Sequence, residues 1–244
     1  MIRTAWGYLN LVLATLFFGS LILIASLLRL KPPFYYWVGQ QWSEALLWAA
    51  GCRVYAQGVK EVDWNKPNVV ICNHIGSFDV LALAVSIPVP FYFVAKKELE
   101  RIPVFGPAWK RAGHISIDRS DREAAIRQLQ TAGSRIRNEG GAVVIFPEGT
   151  RSTTSQMRPF KKGAFMLAIE GGLTIIPAVI TGSEKVFSAG FPSIRPQDIE
   201  LFFLPALSPE GFTPETADEL MAKVRGIMEE ALAARRPTPN FMTG

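Results

Sequence analysis

The sequence predicts an α/β fold: a mixed, mainly parallel sheet flanked by helices, with an N-terminal two-helix membrane-embedded motif. Three observations predict it. From residue 53 onward short apolar runs alternate with amphipathic stretches, the pattern of strands and helices wound into one layered domain. Ahead of them lies an uncharged apolar run over residues 4–28, followed by an aromatic-rich stretch. The polar clusters with chemical character each follow directly on an apolar run, at the carboxyl end of a strand, where open α/β sheets gather their chemistry.

The run 4–28 is dominated by Leu, Ile, Val, Phe and Ala. As a helix it is long enough to cross a hydrocarbon core of about 30 Å. It exceeds a signal-peptide core, and no small-x-small cleavage site precedes Arg29. After Lys31-Pro32-Pro33, residues 34–50 carry Tyr35, Tyr36, Trp37, Trp42 and Trp48 with one charge, Glu44. Aromatics at this density belong at the level of lipid headgroups. Three arrangements stay open: a transmembrane anchor with an interfacial helix, a helical pair dipping into one leaflet, or a hairpin packed on the domain. Arg3 on one side and Arg29 with Lys31 on the other fix no orientation.

Strands are expected at 53–56, 69–72, 91–94, 114–117, 142–146, 175–180 and 199–204. A helix is expected from Ser120, where Ser120-Asp121-Arg122-Glu123 has the capping-box pattern, to Gly140-Gly141. A second covers 163–170. A third begins at Thr213-Pro214 with Leu220, Met221, Val224, Ile227, Met228 and Leu232 on one face. Three parts follow: hydrophobic membrane-anchoring helices at 1–51, an α/β domain at 52–236 and a disordered tail at 237–244.

Composition narrows the function classes. A hydrophobic content of 49% with 19% charged residues suits a soluble-type domain attached to a bilayer. The net charge of +5 is concentrated: Arg151, Arg158, Lys161 and Lys162 have no acid among them, and residues 96–122 hold seven basic side chains against four acidic ones. Such segments suit phosphate, on a small substrate or on lipid headgroups. Nucleic acid is not expected as a partner, because no recognised motif and no basic run interleaved with aromatics occurs. Two cysteines, Cys52 and Cys72, and two histidines without metal-type spacing give no expectation of a metal or cofactor.

The chemistry centres on Asn73-His74-Ile75-Gly76-Ser77-Phe78-Asp79. A histidine takes a proton from a hydroxyl near neutral pH, and a carboxylate on its other nitrogen fixes the tautomer. Five residues of straight α-helix turn about 500°, which sets His74 and Asp79 about 140° apart. For the two to pair, His74 must sit in a strand-to-helix turn and Asp79 in the first helical turn. No G-x-S-x-G nucleophile elbow accompanies them, so the activated hydroxyl is expected to belong to a substrate. Phe146-Pro147-Glu148-Gly149-Thr150-Arg151-Ser152 brings a glycine turn, hydroxyls and a guanidinium to a strand end, a natural phosphate cradle. Lys161-Lys162-Gly163 opens a helix ten residues on, and Gly113-His114-Ile115-Ser116-Ile117-Asp118-Arg119 ends another strand. Each alone reads equally as a turn with a surface ion pair.

In this order, with Ile175-Ile176-Pro177-Ala178-Val179 as a fourth block, these segments resemble the 1-acyl-glycerol-3-phosphate acyltransferase family over about residues 53–205. Ala95-Lys96-Lys97-Glu98-Leu99 and Ile102-Pro103-Val104-Phe105-Gly106 resemble its connecting segment. The resemblance implies transfer of an acyl chain from acyl-CoA or acyl carrier protein to the sn-2 hydroxyl of lysophosphatidic acid, giving phosphatidic acid. It implies His74 as general base oriented by Asp79. Substrate-binding roles fall to Arg119, Glu148, Gly149, Thr150 and Arg151, with Lys96 at the phosphate or oxyanion and Pro177 on the acyl side. Ala178 stands where the family commonly has Val. No cofactor is implied; the partners are the phospholipid bilayer, lysophosphatidic acid and the acyl donor. The implied location is the membrane, on the cytoplasmic face of the inner membrane in a bacterium, with residues 5–50 as a motif buried in one leaflet. The alternatives are acyl transfer to another lysolipid, a lysophospholipid or lyso-ornithine lipid, or to glycerol-3-phosphate. More distant are an ester hydrolase and a non-catalytic membrane adaptor.

Overall fold

The computed structural model describes residues 2–118, 121–152, 156–187 and 193–235. The tail expected to be disordered lies outside them, as does Ser120.

The seven expected strands form one sheet: β1 (Arg53–Gln57), β2 (Asn68–Cys72), β3 (Phe91–Lys96), β4 (Ile115–Ile117), β5 (Ala142–Ile145), β6 (Thr174–Thr181) and β7 (Asp198–Phe203). Their order is β1-β7-β6-β2-β5-β3-β4. All neighbours are parallel except β6 and β7, so the sheet is mixed and mainly parallel. The central strands β2 and β5 are buried throughout, which is why they read as unbroken Val/Ile runs rather than alternating ones.

The helices are α1 (Ile2–Leu27), α2 (Pro32–Ala50), α3 (Asp79–Ser86), α4 (Phe105–Arg111), α5 (Arg122–Glu139), α6 (Gly163–Gly171) and α7 (Ala217–Ala233). The cap of α5 is Asp121, whose side chain accepts from the Ala124 amide at 2.9 Å, one residue beyond the expected start. The Thr213–Thr216 capping pair closes a 3-10 turn, Pro214–Thr216, that leads into α7. One face of the sheet packs α2 and α3 through Leu46, Leu47, Leu81 and Leu83 against Val70, Cys72 and Val144. The other packs α5, α6 and α7 through Ile136, Phe165 and Leu220 against Val69, Ile71 and Val143.

The site follows from this winding. β2 and β5 are neighbours, with Ile71 opposite Ile145, yet the helices that come next, α3 and α6, go to opposite faces. A crevice therefore opens beyond the carboxyl ends of β2 and β5. The loops carrying His74 and the 146–152 segment flank it.

Helices α1 and α2 form an antiparallel hairpin that is part of the same core, since Ala14, Leu46, Leu47 and Ala50 belong to the cluster built on α3 and the sheet. Trp42 donates from Nε1 to Thr15 Oγ1 at 3.1 Å between the helices, and Tyr36 donates its hydroxyl to the Ile87 carbonyl at 2.7 Å. α1 buries one stripe, Gly7, Ala14, Gly19, Ile22 and Ala25. The rest of its apolar surface, including Leu9, Val12, Leu13, Leu16 and Phe17, is exposed. α1 is long and apolar enough to cross a membrane. Burial of one stripe and exposure of the remainder is the pattern of a helix that meets protein on one side and an apolar medium on the other.

Candidate active site

His74 lies in the turn between β2 and α3, and Asp79 opens α3. The turn brings His74 Nδ1 to 2.7 Å from Asp79 Oδ2. The same oxygen accepts from the amides of Ile75 at 2.8 Å and Gly76 at 2.9 Å, and Ser183 donates its hydroxyl to Oδ1. With both carboxyl oxygens acting as acceptors, Nδ1 carries the proton toward Asp79 and Nε2 presents its lone pair. Asp79 is fully buried, whereas the His74 side chain keeps 18% exposure, so the carboxyl is satisfied inside and the base reaches the crevice. Phe146 stacks on the imidazole with centroids 4.1 Å apart. The turn is possible because Gly76 passes against Ser183, whose atoms lie 2.6–2.7 Å from where a Cβ would stand.

The His74 backbone is held on both sides by the neighbouring loop. Its amide donates to Glu148 Oε1 at 2.8 Å, and its carbonyl accepts from the Ser152 amide at 2.7 Å. Glu148 Oε2 accepts from the Arg158 amide at 2.8 Å. Glu148, which the resemblance put among the substrate-binding residues, is 3% exposed, and its carboxylate ties loop backbones together behind the crevice wall. Pro177 lies buried in β6 opposite Ile71, and its carbonyl accepts from the Leu204 amide at 2.8 Å.

Gly149, Thr150 and Arg151 line the crevice together with His74 and Lys96. Gly149 takes φ +71°, a left-handed turn that aims the following residues into it. Arg151 Nη1 donates to Ser77 Oγ, which spans the loops after β2 and β5. Arg119 lies outside the described residues. Three contributors were given no role from the sequence: Ser183 and Phe146 on the catalytic pair, and Asn73, whose amide exchanges hydrogen bonds of 2.8 and 3.0 Å with the Ile180 backbone and pins β2 to β6. The motif containing Asn73 pointed near it; Ser183 is 104 residues from Asp79.

From this rim an apolar cavity of about 420 Å³ runs to the α1–α2 hairpin, past Trp109 and Phe93 to Trp42, Tyr35 and Ile22. No protein thiol competes for the base: burial, reinforced by Asp79 and Glu148, pushes the Cys72 thiol well above its ordinary pKa. Among the described residues no cluster of His, Cys, Asp and Glu suits a metal ion. His114 lines the cavity, accepts from the Phe93 amide at 3.2 Å, and is held neutral by burial and by Arg135, with its pKa down at about 3. An unfolded histidine, with a pKa of about 6.5, takes up a proton that the folded one refuses, so stability falls as pH drops from that value toward 3. His114→Phe is expected to flatten that loss, read as a smaller drop in Tm between pH 7 and pH 5 than in the unsubstituted protein. An equal drop in both would exclude His114 as its source.

A family model described as Acyltransferase matches residues 53–181. The class is thereby defined: the chain belongs to the acyltransferase family. It is 31% identical over 189 residues to the 1-acyl-sn-glycerol-3-phosphate acyltransferase of Limnanthes alba, covering 78% of this chain and 66% of the relative. To the enzyme of that name from Pseudomonas aeruginosa it is 31% identical over 241 residues, 97% of this chain and 92% of the relative. The particular family is therefore that of the 1-acyl-sn-glycerol-3-phosphate acyltransferases. The fold is that of the crystal structure of the 1-acyl-sn-glycerophosphate (LPA) acyltransferase PlsC from Thermotoga maritima, with a TM-score of 0.82 and 21% identity over 97% of each chain.

Proposed function

We propose that the protein transfers a fatty acyl chain from a thioester, acyl-CoA or acyl carrier protein, to the free sn-2 hydroxyl of 1-acyl-glycerol-3-phosphate, producing phosphatidic acid at a membrane surface. The observation that carries the reading is His74 Nε2: it borders the cavity, and among the described residues it has no hydrogen-bond partner, while Nδ1 is held by Asp79. The hydroxyl it deprotonates is then the acceptor's own. His74 takes that proton as the oxygen attacks the thioester carbonyl; the tetrahedral oxyanion collapses, the C–S bond breaks, and the imidazolium returns the proton to the thiolate. No covalent acyl-enzyme and no cofactor is required.

Arg151 and Lys96 serve the acceptor phosphate or the oxyanion from the rim, and Gly149 and Thr150 shape the loop beside them. An acyl chain occupies the cavity toward the hairpin, whose exposed apolar face lies in one leaflet, on the cytoplasmic side in a bacterium. The acceptor is tested by a panel of lysophosphatidic acid, glycerol-3-phosphate and zwitterionic or ornithine lysolipids with mass analysis of products. Phosphatidic acid as the dominant product supports the reading, and faster turnover of another lysolipid refutes it. For Arg151→Ala the expected result is a fall of about tenfold or more in kcat/KM for the acceptor, the size of one lost charge-assisted contact. Unchanged acceptor dependence would remove Arg151 from the phosphate site.

A further inference from the structure

A second cavity, of about 830 Å³, lies on the sheet face opposite the α1–α2 hairpin, between α5, α6 and the carboxyl ends of β3, β4 and β5. Its walls are apolar, with Ile117, Ile126, Leu129, Ile145 and Leu167, and its edge is cationic, with Lys161 and Lys162 where α6 begins. Lys162 is paired with Asp218 at 2.6 Å. Lys161 has no acidic partner among the described residues, and its Nζ stands 3.1 Å from the place of a Cβ on Gly149. Two acids also line the cavity, but Asp118 faces Lys97 at 3.6 Å and Glu170 accepts from Gln130 at 3.0 Å, so both are engaged away from Lys161.

The two cavities share Val94, Ala95, Phe146 and Gly149, and Phe146 is the ring stacked on His74. The first reaches the base itself, and the second, from the other face of the sheet, reaches the ring stacked on it. The first begins among the apolar helices and suits a lipid chain. The second begins away from those helices, joins an unpaired ammonium to an apolar trough, and suits a long arm with an anion at one end. Resting on the acyl transfer proposed above, we infer that the second cavity receives the phosphopantetheine arm of the donor, with Lys161 on its phosphate and the thioester carried over Ala95 and Gly149 toward His74. The arm's methylene and gem-dimethyl units match the trough, and its phosphate matches Lys161, the cation at the edge that has no acidic partner among the described residues.

The test uses the full chain in phospholipid vesicles with lysophosphatidic acid and three donors: palmitoyl-CoA, palmitoyl carrier protein and S-palmitoyl pantetheine, which lacks the phosphate. Lys161→Ala is expected to raise KM about tenfold for a phosphate-bearing donor and to leave KM for palmitoyl pantetheine and for the acceptor within about twofold. Ala125→Phe, which fills the trough from α5, is expected to raise KM for all three donors, with Tm confirming that it folds. For Lys161→Ala, a rise confined to palmitoyl-CoA or to the carrier protein supports the inference and identifies the source of the arm. An equal change for palmitoyl pantetheine, no change for any donor, or a change in acceptor KM instead overturns it, as do unchanged donor KM values in a folded Ala125→Phe. The same donor pattern with a different preferred acceptor would refute the acceptor reading and support this one.

Discussion

Replacing His74 by alanine is expected to abolish acyl transfer, with kcat down by about 10²–10⁴-fold, the usual contribution of a positioned general base. Nδ1 holds Asp79 and Nε2 is open to the cavity, so no other group described here stands ready to take the hydroxyl proton. Because the imidazole is only partly buried and the exposed apolar face of α1 is untouched, the variant should fold and bind phospholipid vesicles as the unsubstituted protein does. Vesicle co-sedimentation and turnover measured together check both halves. Retention of more than about 5% of the rate would end the assignment, since that is far above the range a lost base leaves.

Glu148→Gln is expected to produce the second largest loss, through the backbone rather than through substrate. The carboxylate accepts from the amides of His74 and Arg158, and a carboxamide can accept from only one of them while its NH₂ opposes the other. A buried N–H left unpaired costs about 1–3 kcal/mol, and a shift of about 1 Å in a reacting group costs about 10²-fold in rate. The expected outcome is a fall in kcat of about 10²-fold, a lowered Tm, and an acceptor KM within about twofold of the original. Glu148→Ala should be worse in both rate and stability. A raised acceptor KM with unchanged kcat would return Glu148 to the substrate side.

That contrast shows where the sequence was readable. The central strands β2, β5 and β6 announced themselves because a strand buried on both faces needs a short apolar run, and the alternation with helices then leaves few ways to wind the sheet. The pairing of His74 with Asp79 required a bend, and Gly76 with Ser77 between them signalled one. The contacts of Glu148 and Ser183 were not legible, because their surroundings are set by partners far away in the chain. Glu148 meets an amide 74 residues distant, and Ser183 reaches Asp79 across 104. No local pattern encodes such contacts; they follow from β2 lying between β5 and β6. α4 was missed because seven residues that include a glycine and a proline carry no helical period.

The hairpin at the N-terminus has a practical consequence. Ile22, Tyr35, Tyr36, Val38 and Trp42 wall the cavity that ends at His74, and Leu46 and Leu47 complete the core under α3. Cutting the chain near residue 51 to obtain a water-soluble catalytic half would therefore, in a single stroke, unroof the lipid cavity and expose the apolar side chains that α1 and α2 cover. Such a fragment is an unfinished molecule rather than a smaller enzyme, and efforts to prepare or crystallise this protein are best spent on the whole chain in a lipid-like environment.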